Sequence, residues 1–187
     1  WASKLMDRWY GTSWRSRPST AHAFAATWSG SRTVADELRA VLARTDIAGF
    51  TRGSALQALG QVLGPQAADA LRSGVASADP LVRLGAAEGA LGLTPEQRPA
   101  VVGELVGDSV RAVRLAALRV LAAAPQHIFS EELRKHLARA EGDLDLYLAA
   151  NADTAEAHTQ VGNIRFDQQR LTEAEGAFRR AIELDRS

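Results

Sequence analysis

The amino-acid sequence predicts an all-α fold in which antiparallel helical hairpins stack into one right-handed superhelical solenoid. Nearly half of the residues (46%) are apolar while only 6% are aromatic, and alanine and leucine dominate. This composition suits closely packed helices better than sheets. One segment recurs at a constant spacing, and helix-start signals accompany it. At 187 residues the chain can bury one continuous core and needs no second independent domain.

Internal repetition is the strongest pattern in the sequence. The segments 50–56, 81–87 and 112–118 superimpose when they are shifted by 31 residues. A shorter apolar stretch and a polar turn with an aspartate precede each segment, so each repeat is predicted to be a helical hairpin. The arginines in register are Arg52, Arg83 and Arg114, the alanines are Ala55, Ala86 and Ala117, and the turn aspartates are Asp46, Asp79 and Asp108.

Capping signals predict where several helices begin and end. Asp79 followed by Pro80 predicts an N-cap with proline at the first helical position. Capping boxes are predicted from Thr94 to Gln97 and from Thr172 to Glu175. Glycines are expected at helix ends, and those in suitable places are Gly60, Gly64 and Gly92.

The turn Asp79-Pro80-Leu81-Val82-Arg83 resembles that of HEAT and HEAT-like (lyase-type) repeats, whose signature is Asp-Pro-x-Val-Arg before a helix rich in alanine and leucine. The other two repeats keep the arginine and lose the proline. We interpret the arginine column as a ladder that bonds turn aspartates and carbonyls between neighbouring repeats. Ligand binding is the alternative.

A different unit follows, and its spacing resembles a tetratricopeptide repeat. The family's small and apolar packing positions are occupied by Val161, Gly162, Ala174, Phe178 and Ala181. The chain departs from the family pattern where His158 replaces the usual tryptophan and Gln169 the usual turn glycine.

These patterns divide the chain into three predicted parts. Residues 1–32 form an aromatic and basic helical cap, and 33–127 form the HEAT-like repeats. Residues 128–187 form a degenerate hairpin plus the tetratricopeptide unit. In that hairpin a helix is expected from about Ser130 to Ala140, followed by Gly142 and a second apolar stretch. The repeat boundaries lie near 33–64, 65–94 and 95–127.

Charge argues against a global attraction to polyanions. Lys and Arg number 22, as do Asp and Glu, so the formal net charge is zero and there is no strong nucleic-acid or membrane signal. However, 1–32 contains five basic residues against Asp7 alone, whereas 128–187 has more acids than bases. Any polyanion contact is therefore expected at the N-terminus.

All four tryptophans lie in the first 28 residues, mixed with basic side chains. We prefer the interpretation that these aromatics cap the open end of the solenoid. Recognition of nucleic acid or a protein partner is the alternative. The residues of this rival surface are Trp9, Trp14, Arg15 and Arg17.

The order of the N-terminal motifs, the HEAT array and the tetratricopeptide unit resembles the C-terminal, haem-free part of bacterial multihaem cytochrome c proteins. The motifs are Trp9-Tyr10-Gly11, Arg17 and His22-Ala23-Phe24-Ala25. The resemblance implies that an exported haem domain precedes Trp1, and that the protein is periplasmic. A start at Trp1 in place of methionine also favours a fragment or processed form.

The sequence gives no sign of a catalytic, metal or cofactor site. With no cysteine, disulfides, thiolate ligands and covalently attached haem are excluded from this chain. Glu132 and His136 form an incomplete metal site and are interpreted as a surface pair, while Asp143 and Asp145 lack the other ligands of a calcium loop. No apolar run approaches the ~20 residues of a membrane span. We expect neither enzyme activity nor a cofactor.

The leading functional hypothesis is a protein- or peptide-binding scaffold, because a solenoid presents an extended concave surface. The column five residues beyond the repeat arginines is polar and in register, although a solvated surface would give the same pattern. The first tetratricopeptide helix adds a position that, in the family, often bonds a peptide backbone. The candidate partner-binding residues are Gln57, Glu88, Arg119, Thr159, Gln160 and Asn163.

A HEAT-like nucleic-acid-binding protein or DNA glycosylase is the alternative, prompted by the N-terminal mixture of tryptophan and arginine. Residues 33–127 contain equal numbers of acids and bases, whereas a solenoid that grips a duplex needs a basic concave stripe. The sequence does not predict the partner's identity or the oligomeric state.

Overall fold

The computed structural model describes residues 1–12, 20–29 and 32–185, and in these ranges the regular structure is entirely helical, without a strand. The predicted all-α class is confirmed. Short 3₁₀ segments extend or join the α-helices at Gly64–Ala67, Ala90–Gly92, Gly103–Gly107 and Gln126–Ile128. The α-helices are α1 (Ala2–Tyr10), α2 (Thr20–Ser29), α3 (Val34–Leu42), α4 (Gly49–Leu63), α5 (Ala68–Val75), α6 (Pro80–Gly89), α7 (Arg98–Val102), α8 (Arg111–Leu121), α9 (Glu131–Ala150), α10 (Ala155–Asp167) and α11 (Leu171–Asp185).

The three repeated segments lie on α4, α6 and α8, and these helices pack side by side in that order. Each also packs on an element that precedes it: α4 on α3, α6 on α5, and α8 on Gly103–Gly107. Helix α9 links this array to α10, which packs along α11. Ala86 and Ala117, which are in register, are fully buried, as close helix packing at these positions requires.

Helices α4 and α6 approach to backbone contact. A Cβ atom added to Gly85 would overlap the Gly53 carbonyl, and one added to Gly60 would overlap the Gly89 carbonyl. This contact explains why the predicted helix end at Gly60 is wrong: the helix continues to Leu63, and Gly60 is retained inside it for the close approach. The helix ends before Gly64, whose φ of 55° lies in the left-handed region that glycine tolerates.

The predicted caps fare differently. Asp79 caps α6 as predicted, and its carboxylate accepts the Leu81 N–H at 2.9 Å. The Gln97 side chain accepts the Thr94 N–H at 3.3 Å, but this bond closes a turn and α7 begins only at Arg98.

The predicted N-cap at Thr172 is wrong. Helix α11 already begins at Leu171, and the Ala174 N–H donates to the Arg170 carbonyl at 3.0 Å. The turn before it is made by Gln169, which has a φ of 63°. This left-handed residue turns the chain early enough that Thr172 lies within the helix.

The predicted break at Gly142 is also wrong, because α9 is one helix of 20 residues. Ser130 caps its start as predicted, and its hydroxyl accepts the Leu133 N–H at 3.1 Å. One apolar stripe runs along the helix at helical spacing through Leu133, Leu137, Ala140 and Leu144. Gly142 has open space where a Cβ would lie, so its cost of about 1 kcal/mol is offset by burial of the stripe. The expected degenerate hairpin is therefore a single helix.

The N-terminal end of the core is covered by alanines and not by tryptophans. Ala23 and Ala26 of α2 are buried against α3 and α4, whereas Trp1, Trp9 and Trp28 are exposed by 94%, 65% and 91%. The interpretation of these aromatics as a cap is wrong, because small side chains allow α2 to pack closely. The rival-surface residues Trp14, Arg15 and Arg17 lie outside the described residues.

No helix among the described residues is long and apolar enough to span a membrane.

Candidate partner-binding site

An arginine ladder fixes the positions of the helices that form the site. The Arg83 guanidinium donates from Nε and Nη2 to the Asp108 carboxylate, at 2.6 and 3.0 Å. Its Nη1 donates to the carbonyls of Ser77 and Ala78 at 2.9 and 3.0 Å. The predicted bonding to a turn aspartate and turn carbonyls is confirmed here. The Arg83 guanidinium holds the pKa of the Asp108 carboxyl below its ordinary value.

Arg114 extends the ladder to α9. Its Nη1 donates to the Asp108 and Ser109 carbonyls at 2.8 and 3.2 Å, and its Nε donates to Asp143 Oδ2 at 2.7 Å. Arg114 is buried, and its hydrogen bond lowers the pKa of the Asp143 carboxyl. Sequence reasoning tested Asp143 only as a calcium ligand. The spacing from Arg114 to Asp143, 29 residues, is close to the repeat length and was the available signal.

Arg52 does not form an equivalent bond through Nε, which is buried without a hydrogen-bond partner among the described residues. The aspartate expected for it, Asp79, caps α6 with its carboxylate.

A pocket of about 240 Å³ lies where α6, α8, α9 and α10 meet. Four second-helix and connecting-helix side chains make its wall apolar, and charged and amide groups lie beside them. We call this the inter-repeat pocket. It is lined by Leu84, Glu88, Ala112, Leu115, Ala116, Arg119, Leu144, Tyr147, Gln160 and Ile164.

Three of the predicted binding residues, Glu88, Arg119 and Gln160, meet in the inter-repeat pocket. Glu88 and Arg119 form an ion pair, and the Arg119 Nε is buried with no partner within the described ranges. The Tyr147 hydroxyl donates to Gln160 Oε1 at 3.1 Å. The polar groups of the pocket are thus held in place by one another.

The other three predicted residues do not line the inter-repeat pocket. Gln57 is half-buried on α4, one hairpin away. Thr159 and Asn163 are exposed, four residues apart on the face of α10 next to the one that carries Gln160 and Ile164. The Thr159 hydroxyl donates to the Ala155 carbonyl of its own helix at 2.9 Å.

Sequence reasoning missed the apolar wall of the inter-repeat pocket. Leu84 and Leu115 follow the repeat arginines directly and are themselves 31 residues apart, so the register held the signal. The position equivalent to them in the first repeat is Gly53, which packs against α6 and conceals the pattern. Tyr147 could not be found in this way, because α9 belongs to no repeat.

A second buried arginine joins α9 to α10. Arg165 is paired with Glu141 and donates to Gln168 Oε1 at 3.0 Å. This network fixes α10 relative to α9 and thereby sets the far wall of the inter-repeat pocket.

The remaining ionisable groups were searched for a metal site. Within the part of the chain that the structure describes, no three His, Cys, Asp or Glu residues lie close enough to hold a metal ion. His136, the partner proposed for Glu132, lies with its ring beside Gly107.

Comparison of the chain with protein-family models, curated proteins and solved structures found no match. The assignment of a function therefore depends on the residues of the inter-repeat pocket.

Proposed function

We propose that the chain is a protein- or peptide-binding scaffold that receives an apolar side chain of its partner in the inter-repeat pocket. The observation that carries this proposal is the meeting of Leu84, Leu115 and Ile164 beside the Glu88–Arg119 ion pair. An apolar wall beside fixed polar groups is the usual composition of a recognition pocket.

The size of the inter-repeat pocket favours a side chain over a small-molecule ligand. Its volume of about 240 Å³ lies below the roughly 300–1,000 Å³ of typical small-molecule sites. An apolar anchor would enter between the leucines, while the partner's backbone passes Gln160 and the ion pair. The exposed amide of Asn163 lies farther along α10 and extends the same contact surface.

The proposed architecture is a right-handed superhelical solenoid of HEAT-like hairpins, α3 to α8, followed by α9 and a tetratricopeptide-like hairpin, α10 with α11. It is supported by the 31-residue register and by the arginine ladder. A Cβ added to Gly162 would lie 2.6 Å from the Phe178 ring, as the small-residue position of a tetratricopeptide hairpin requires. The wider resemblance makes the chain an interaction module of a larger, exported redox protein in this proposal.

The test is selection from a peptide library displayed on phage, with the whole chain as the target. Ala112 is exposed at the pocket, so Ala112→Trp fills the pocket without disturbing the core. The control is Ala138→Trp, at an exposed position on α9. Peptides that bind the wild type and the Ala138→Trp variant but not the Ala112→Trp variant are expected. Selected peptides that bind all three proteins equally would contradict the proposal.

Duplex DNA is the rival ligand. The inter-repeat pocket pairs one acid with one base, which gives phosphates no net attraction. We expect only weak, salt-sensitive duplex binding. Submicromolar binding at physiological salt would favour the nucleic-acid reader instead.

A further inference from the structure

Helix α1, Ala2–Tyr10, is amphipathic and has no buried side chain. At 100° per residue, Leu5, Met6, Trp9 and Tyr10 lie on one half of the helix and Lys4 and Arg8 on the other. Trp9 and Tyr10 are exposed by 65% and 63%. An apolar face with two large aromatic rings is therefore open to contact from outside the chain.

The chain supplies little to hold this helix in place. Helix α1 has nine residues, and isolated helices shorter than about 12–15 residues are marginal in water. Most helical stability in proteins comes from burying an apolar face, and α1 buries none. An external surface that covers this face would stabilise the helix as it binds.

We propose that α1 binds the surface of an anionic lipid membrane, with Leu5, Met6 and Trp9 inserted at the boundary between headgroups and acyl chains. Lys4 and Arg8 are exposed and reach the lipid phosphates from the edge of the apolar face. The first 32 residues carry five basic side chains and one acidic one, which gives this end a charge complementary to anionic headgroups. This site is separate from the inter-repeat pocket.

The mixture of side chains favours lipid over nucleic acid. Single-stranded nucleic acid binds planar rings on which its bases stack, and two aliphatic or thioether chains, Leu5 and Met6, occupy the middle of this face. Trp and Tyr with flanking Lys and Arg are the combination that lies in a membrane interface. The apolar and basic contributions add, and neither suffices alone.

The experiment measures binding of the whole chain to vesicles of phosphatidylcholine alone and of an equimolar mixture with phosphatidylglycerol. We expect sedimentation with the anionic vesicles only, weakened by salt and accompanied by a blue shift of tryptophan emission. Lys4→Glu with Arg8→Glu, and separately Leu5→Ser with Trp9→Ser, should lower the partition coefficient at least about tenfold.

Two matched controls separate α1 from general charge and aromaticity. Lys135→Glu with Arg139→Glu makes the same charge change on exposed positions of α9, and Trp28→Ser removes an exposed tryptophan from α2. Both controls should bind as the wild type does, and far-ultraviolet circular dichroism verifies that every variant folds. Absence of binding to anionic vesicles, equal losses in the controls, or vesicle binding that is indifferent to the α1 changes while single-stranded DNA binding is lost would overturn the proposal.

Discussion

At the scale of single residues, the most informative contacts are those of the buried arginines. Arg114 bonds two carbonyls of its own turn and the carboxylate of Asp143 on α9. A buried guanidinium is tolerated only when its donors are satisfied. These bonds fix the distance between a repeat turn and the next helix, and that distance positions the walls of the inter-repeat pocket.

The substitution Asp143→Ala tests this contact. It leaves the buried Arg114 without its carboxylate, so we expect a loss of about 3 kcal/mol in the free energy of unfolding at neutral pH. Because Arg114 lowers the Asp143 pKa, the wild type has this contribution above the ordinary aspartate pKa and loses it as the pH falls through the lowered value. Urea unfolding should show a smaller difference between the two proteins below about pH 3.

Glu132→Ala is the control for this experiment, since it removes an exposed carboxylate from the same helix. It should change stability little at either pH. A cost of Asp143→Ala that is equal to that of Glu132→Ala, or that grows in acid, would contradict the role assigned to the ladder.

Gln169 provides a second test at this scale. Its φ of 63° places a residue with a Cβ in the left-handed region, at a cost of roughly 1–2 kcal/mol. Gln169→Gly should therefore raise the unfolding free energy by about 1 kcal/mol after the larger entropy of glycine in the unfolded chain is subtracted. Gln169→Ala keeps the strained backbone and should give no gain. Thermal melting of the three proteins decides, and equal melting temperatures would show that the turn is unstrained.

At the scale of elements, the closest packing lies between α4 and α6, where glycines of the two helices touch. The repeat register correctly predicted that small residues line such contacts. It could not show that Gly60 belongs to this contact, because a glycine near a helix end and a glycine at a helix crossing look alike in sequence.

The close approach of helices predicts large costs for Ala86→Leu and Ala117→Leu. Both alanines have no exposed surface, so three added carbons must displace backbone or neighbouring side chains, at about 1–3 kcal/mol each. Gln57→Leu, at a half-buried position of the same repeat family, should have little effect. Similar losses of melting temperature in all three variants would show that the register is wrong.

Helix α9 illustrates what the sequence could and could not predict. Its start at Ser130 follows from a local cap, and its apolar stripe is visible in the sequence. The weight of Gly142 depends on whether that stripe is buried by α8 and α10, which is a tertiary property. For the same reason the polar half of the pocket was predicted from the repeat column, while Tyr147 was not.

At the scale of the whole molecule, buried residues form one large cluster from Leu56 to Ile164 and a smaller one under α2 and α3, and the half-buried Leu42 and Leu63 pack against both. The inter-repeat pocket lies at the surface of the larger cluster, on helices held by the ladder. A pre-formed pocket on rigid helices limits the ordering cost of binding. This arrangement suits a scaffold that binds without rearrangement.

The most direct test of the scaffold proposal is the affinity of a library-selected peptide for the wild type and for the double variant Glu88→Arg with Arg119→Glu. The double variant keeps the ion pair but reverses its direction, so the melting temperature should change by no more than a few degrees. The account predicts a weaker affinity for this variant and an unchanged affinity when Trp9 and Trp14 are replaced by alanine. Normal binding by the double variant, with binding lost in the tryptophan variant while it remains folded, would place the partner at the N-terminal aromatics and contradict the account.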